Sequence, residues 1–141
     1  MRVDKDKWRV IVENVPIVSV DLVVTDPRES RFVLGLRNSN VAKDTWFVPG
    51  GRIYKNESLR DAVDRVAEEE AGVEVDVVRE LGTYQHFYDE SDIGTDSGKH
   101  YVANAYLVYT ENSSLESDSQ HSELKWFDDL LKVYIPTRAN I

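Results

Sequence analysis

An acid in an apolar place is the first sign of chemistry in this chain. From Ser58 to Ala71 the residues carry helical periodicity, and Leu59, Ala62, Val63 and Val66 fall on one side, the stripe such a helix buries. Glu70, four residues after Val66, lands in the same stripe, whereas Asp61, Asp64 and Glu68 point away and Arg65 and Glu69 lie on its edge. An ionised carboxylate on a buried face costs several kcal/mol unless a cation or hydrogen bonds compensate it. Glu70 therefore asks for something positive, such as an arginine, or else the helix end frays before the acid is buried. A second misplaced acid, Asp21, sits inside the apolar run Pro16 to Thr25. The chain has three His and no Cys, which excludes disulfide scaffolds, zinc–thiolate sites, iron–sulfur clusters and thiol nucleophiles. Oxygen and imidazole chemistry is what remains.

The elements that position these residues read as one domain over residues 1–141, with 41% hydrophobic and 30% charged residues, no repeat, no low-complexity tract and no linker. Trp8, Ile11, Val12 and Val15 are spaced for a short amphipathic helix ending at Pro16, so residues 1–15 are an N-terminal helix or a dimer arm. Pro16 to Thr25 and Phe32 to Leu36 form a hairpin candidate around Asp26-Pro27. Trp46 to Gly51 runs into a Pro-Gly-Gly corner, and the helix after it starts at Ser58, which with Asp61 resembles a capping box, and stops at Gly72. Val73 to Val78, Leu81 to Tyr88, His100 to Tyr109 and Leu124 to Phe127 are strand-like, and a short helix is expected from Asp128 to Val133. Asp89 to Gly98 and Glu111 to Ser122 read as loops. A sheet with few helices in mixed order gives an α+β fold. A formal net charge of −9 argues against general nucleic-acid binding, and no apolar run reaches the about 20 residues of a membrane span, so a cytoplasmic protein without membrane contact is expected.

Gly51, Glu57, Arg65, Ala67, Glu69-Glu70, Gly72 and Val73, at their spacing over residues 51–73, resemble the box of the Nudix hydrolase family. The resemblance implies a Nudix fold, a central mixed β-sheet sandwiched by helices with a loop–helix–loop, whose carbonyls and carboxylates suit the oxygen preference of Mg²⁺. The family normally has Glu directly after the box Arg, and Val66 stands there here. On the helix that position is beside Glu70, so the site loses one acidic ligand.

Segments outside the box are similar to the GDP-mannose mannosyl hydrolase branch of that family, which departs at the same Glu. They are Pro16 to Asp21, Leu34 to Arg37, Trp46 to Arg52, Gln85 to Asp89, Gly94-Thr95-Asp96, His100-Tyr101-Val102, Gln120-His121 and Arg138-Ala139. The resemblance implies hydrolysis of GDP-mannose or a related GDP-hexose to GDP and free sugar, with Mg²⁺, or Mn²⁺ in its place, by water attack at the anomeric carbon with inversion. It assigns the metal to the Gly50 carbonyl, Glu70 and Gln120, and the general base to His121, a suitable group because an imidazole pKa of about 6.5 leaves it ready to accept a proton. It assigns the leaving diphosphate to Arg37 and Arg52, a phosphate contact to Tyr101, and sugar-side or supporting roles to Asp21 and His86. Gly51, Glu57, Arg65 and Glu69 would organise the box, and Trp8, Trp46 or Phe87-Tyr88 could stack the guanine. The resemblance also implies a homodimer using residues 1–15. The alternatives are a Nudix diphosphatase breaking a P–O bond of a nucleotide sugar or ADP-ribose, and a non-catalytic nucleotide-sugar-binding domain.

Overall fold

The computed structural model describes residues 2–36, 45–89, 98–116 and 123–128. They form helix α1 (Lys5–Asn14), strands β1 (Ile17–Thr25), β2 (Phe32–Leu36), β3 (Trp46–Phe47) and β4 (Gly50–Arg52), helix α2 (Leu59–Ala71), and strands β5 (Asp76–Tyr88), β6 (Lys99–Tyr109) and β7 (Glu123–Phe127). The strands make one mixed sheet in the order β3-β2-β1-β6-β5, with β4 on β1 and β7 on β2. With its two helices this is the α+β arrangement expected.

β1 is the axis of the sheet. It runs parallel to β6 from Ile17↔Tyr101 to Thr25↔Tyr109 and antiparallel to β4 from Ser19↔Arg52 to Asp21↔Gly50. Its even-numbered residues Val20, Leu22 and Val24 are fully buried and pack with Ala62, Val63, Val66, Ala67 and Ala71 of α2. Each such valine or leucine contributes roughly 1.5–3 kcal/mol of burial. Helix α2 starts where Ser58 Oγ accepts from Asp61 N at 3.0 Å. It ends at Gly72, whose φ of +67° suits a residue without Cβ and lets its N–H reach the carbonyls of Ala67 and Glu68. The Glu116 N–H donates to Ala71 O at 2.9 Å, tying the segment after β6 to that helix end.

Three local expectations change, and two short strands are added. The hairpin pairs only at Thr25↔Phe32, because β4 occupies the same edge of β1 and β2 makes its ladder with β7 instead. β3 and β4, of two and three residues, are too short for periodicity to reveal. The two strands expected around Val78 and Leu81 are one, β5, which starts at Asp76 and absorbs register shifts at Val77/Arg79 and Glu80/Gly82. Leu59 sits in the first turn of α2 and is 37% exposed, so the buried stripe begins at Ala62. The helix expected from Asp128 lies outside the described residues from 129 onward.

Candidate active site

Three acids in sequence, Glu68, Glu69 and Glu70, occupy the last turn of α2 with no basic residue among them. The helix dipole puts partial negative charge at this end, so it favours cations and opposes these acids. Arg65 answers part of the charge. Its Nε donates to Glu57 Oε2 at 2.8 Å, its Nη1 to Glu69 Oε2 at 3.0 Å, and its Nη2 to Glu57 Oε1 at 2.9 Å and to the Arg52 carbonyl at 2.8 Å. Glu57 Oε1 also accepts from Tyr54 N at 3.0 Å. Hydrogen bonding from Arg65 holds the Glu57 carboxyl below the ordinary glutamate range, and the same bond raises Arg65. Glu57, Arg65 and Glu69 thus buckle the loop before α2 to the helix.

Glu70 differs from its neighbours. It is half-buried, its side chain is engaged, and its Oε2 is shut off from solvent without a hydrogen bond of its own. One turn earlier on the same face Val66 is 1% exposed. A Cβ on Gly51 would sit 3.1 Å from Val66 Cγ2, so the branched valine fills the space against β4.

The ladder between β1 and β4 then fixes the direction of the Gly50 carbonyl. Leu22 N donates to Pro49 O at 2.8 Å and Ile53 N to Val18 O at 2.9 Å, which makes 22/49 and 18/53 the hydrogen-bonded pairs. Asp21↔Gly50 and Ser19↔Arg52 fall at the alternate positions, whose carbonyls face away from β1. The Arg52 carbonyl does so and meets Arg65, and the Gly50 carbonyl points to the same side of β4. The donors are oxygens, one of them a buried carboxylate oxygen at the negative end of a helix, and this set fits a hard divalent cation. Among the described residues no cluster of three or more His, Cys, Asp or Glu that could hold a metal is found.

On the other face of the sheet stand the odd-numbered residues of β1. Asp21 Oδ2 lies 3.3 Å from His86 Nε2. A Cβ on Gly50 would come 2.5 Å from Asp21 Oδ1, so only glycine admits the acid so close to the corner. His86 is 9% exposed and its Nδ1 is buried without a hydrogen bond. With the Nε2 proton directed to Asp21, Nδ1 is left as an acceptor. The register Ile17↔Tyr101↔His86 brings Tyr101 to the same face, where its ring meets Tyr88 edge-on at 6.1 Å. His100 instead bonds Gln85 Oε1 at 2.9 Å.

The expected residues therefore fall into two groups, Gly51, Glu57, Arg65, Glu69 and Glu70 on the α2 side and Asp21, His86 and Tyr101 on the opposite face, with Gly50 and Arg52 of β4 between them. Arg37, Gln120 and His121 lie outside the described residues. Tyr54 is the residue that sequence reasoning missed, its ring 3.6 Å from Arg65 Cζ and 4.8 Å from Arg52 Cζ. Its place two residues after Arg52 was the available signal. A separate open cleft of about 680 Å³ is walled by Glu68, Glu74, Asp76 and Glu111, a poor home for a diphosphate. No helix among the described residues is long and apolar enough to cross a membrane.

The low-salt glycan biosynthesis protein Agl8 of Haloferax volcanii is 50% identical over 127 residues, covering 90% of this chain and 80% of Agl8. The ADP-ribose pyrophosphatase of Methanocaldococcus jannaschii is 26% identical over 125 residues, covering 89% of this chain and 68% of that protein. The crystal structure of a MutT protein from Methanosarcina mazei superposes with a TM-score of 0.64 at 25% identity, over 80% of this chain and 78% of that one. The NUDIX domain family matches residues 15–129, and the chain belongs to the Nudix hydrolases.

Proposed function

We propose that this Nudix hydrolase acts on a GDP-hexose, GDP-mannose foremost, releasing GDP and free sugar by water attack at the anomeric carbon with inversion. The observation that carries the reading is Val66, buried against Gly51 where the family has an acid. It leaves Glu70 as the one helix carboxylate on the buried face, enough to help hold one cation that would offset the charge of a leaving diphosphate and short of the acidic cluster that would activate water at phosphorus. Similarity to a protein named for glycan biosynthesis supports a sugar-linked substrate.

Glu70, the Gly50 carbonyl and Gln120 would hold Mg²⁺, which when bound withdraws charge from the diphosphate. The other steps belong to this chain's side chains. Arg52 and Arg37 hold phosphate oxygens through guanidinium N–H groups and stabilise the charge that grows on them. His121 takes a proton from water as its oxygen bonds to the anomeric carbon. The bond from that carbon to the β-phosphate oxygen breaks, and its electron pair leaves with GDP. Asp21 holds the His86 ring through Nε2, and the pair has a supporting role on the sugar side.

The similarity to an ADP-ribose pyrophosphatase favours one second reading, hydrolysis within the diphosphate. Incubation with GDP-mannose and Mg²⁺, followed by proton NMR, separates the two. GDP with β-mannose as the first-formed anomer is the expected product, whereas GMP with mannose 1-phosphate would replace the proposal by the second reading.

A further inference from the structure

We propose that Trp8 is a positioning residue for Arg52, so that helix α1, which precedes the family-matched residues 15–129, is part of the site. This rests on reading Arg52 as a diphosphate-facing group. The indole of Trp8 lies 5.2 Å from Arg52 Cζ, and the ring of Tyr54 lies 4.8 Å from the same carbon. Lys99 Nζ stands 5.8 Å from the same indole. Register places Arg52 and Lys99 on the face that carries Asp21 and His86. Arg52 pairs with Ser19, two residues from Asp21, and Lys99 is two residues from Tyr101.

In α1 Val12 is buried, Trp8 and Ile11 are half-buried, and Val10 is 61% exposed, as is the C-cap Val15 at 50%. Trp8 meets two cations, Arg52 and Lys99. An aromatic ring engages the flat face of a guanidinium, whereas a phosphate binds the N–H fork in its plane. Contact with the two rings would orient Arg52 through the face of its guanidinium rather than through its N–H groups. It also removes rotamer freedom before substrate arrives, which is freedom a flexible arginine would otherwise lose on binding.

The test is a cycle of Trp8→Ala, Arg52→Ala and the double variant, with Trp8→Phe as the conservative change. Turnover of GDP-mannose and calorimetric affinity for GDP, both with Mg²⁺, are read beside thermal melting. Trp8→Ala is expected to lose about tenfold in kcat/KM and in GDP affinity, Trp8→Phe to stay within about threefold of wild type, and Trp8→Ala to cost nothing further once Arg52 is alanine. If Trp8→Ala does not fold, Trp8→Met keeps apolar bulk without the π face and takes its place. Trp8→Ala within about twofold of wild type, or an equal loss in the Arg52→Ala background, would overturn the proposal. A wild-type protein that binds GDP but leaves GDP-mannose intact would remove the functional reading alone, with the same cycle in GDP affinity still judging the stack.

Discussion

Restoring the missing acid, Val66→Glu, probes the site most sharply without touching any residue assigned to chemistry. Val66 is 1% exposed and its Cγ2 is 3.1 Å from where a Gly51 Cβ would stand. The substitution removes about 1.5 kcal/mol of apolar burial and places a second carboxyl one turn from Glu70. Desolvation and like-charge repulsion raise the total cost to about 3–5 kcal/mol when that carboxyl is ionised, or roughly 10–20 °C in melting temperature for a domain of this size. Both effects lift the new carboxyl above the unfolded glutamate value. The folded variant then binds more protons than the unfolded chain, and it regains stability, relative to wild type, as pH falls from about 8 to 5. Mg²⁺ at about a hundred times its dissociation constant should return about 2.7 kcal/mol, because it binds the folded state alone. Calorimetry at both pH values, with chelator and with Mg²⁺, reads all three effects. A loss below about 1 kcal/mol in chelator, or Mg²⁺ stabilising the variant no more than wild type, would refute the placement of this position beside a metal-binding carboxylate.

Gly50→Ala would push a methyl to 2.5 Å from Asp21 Oδ1 and 2.9 Å from the Val20 carbonyl. It should cost about 1–3 kcal/mol and lower turnover at least tenfold by displacing Asp21 from His86, and steady-state kinetics equal to wild type would remove Asp21 from the site. Arg65→Gln leaves Glu57, whose side chain is 13% exposed, without its cation. A loss of about 2–4 kcal/mol in urea unfolding is expected, and a midpoint unchanged from wild type would mean that the buckle is not structural. Because Arg65 lowers Glu57, this carboxylate contributes stability above the unfolded glutamate pKa and loses it as pH falls through the lowered folded value. Glu57→Gln should therefore flatten the acid limb of stability against pH, and parallel limbs for the two proteins would contradict that assignment.

The helix that carries the site was legible because its signals are local. Ser58, the stripe from Ala62 to Ala71 and Gly72 each act within one or two turns, and Glu70 announced itself by violating the stripe. Arg65 between Glu57 and Glu69 combined a helical i,i+4 pair with a loop acid that the box spacing supplied. The pairing of β2 with β7 and of β1 with β4 was not legible, since these ladders join residues far apart in the chain and β4 takes the edge of β1 that the hairpin partner β2 would use. For the same reason Asp21 and His86 could each be singled out but not joined, as 65 positions separate them. Trp8 over Arg52 depends on how α1 docks on the sheet, which no periodicity within α1 encodes.

Hydrolysis of GDP-mannose in ¹⁸O-enriched water, with both products read by mass spectrometry, tests the claim that water attacks carbon. The account predicts label in mannose and none in GDP. Label in the β-phosphate of GDP would place the attack at phosphorus and contradict it.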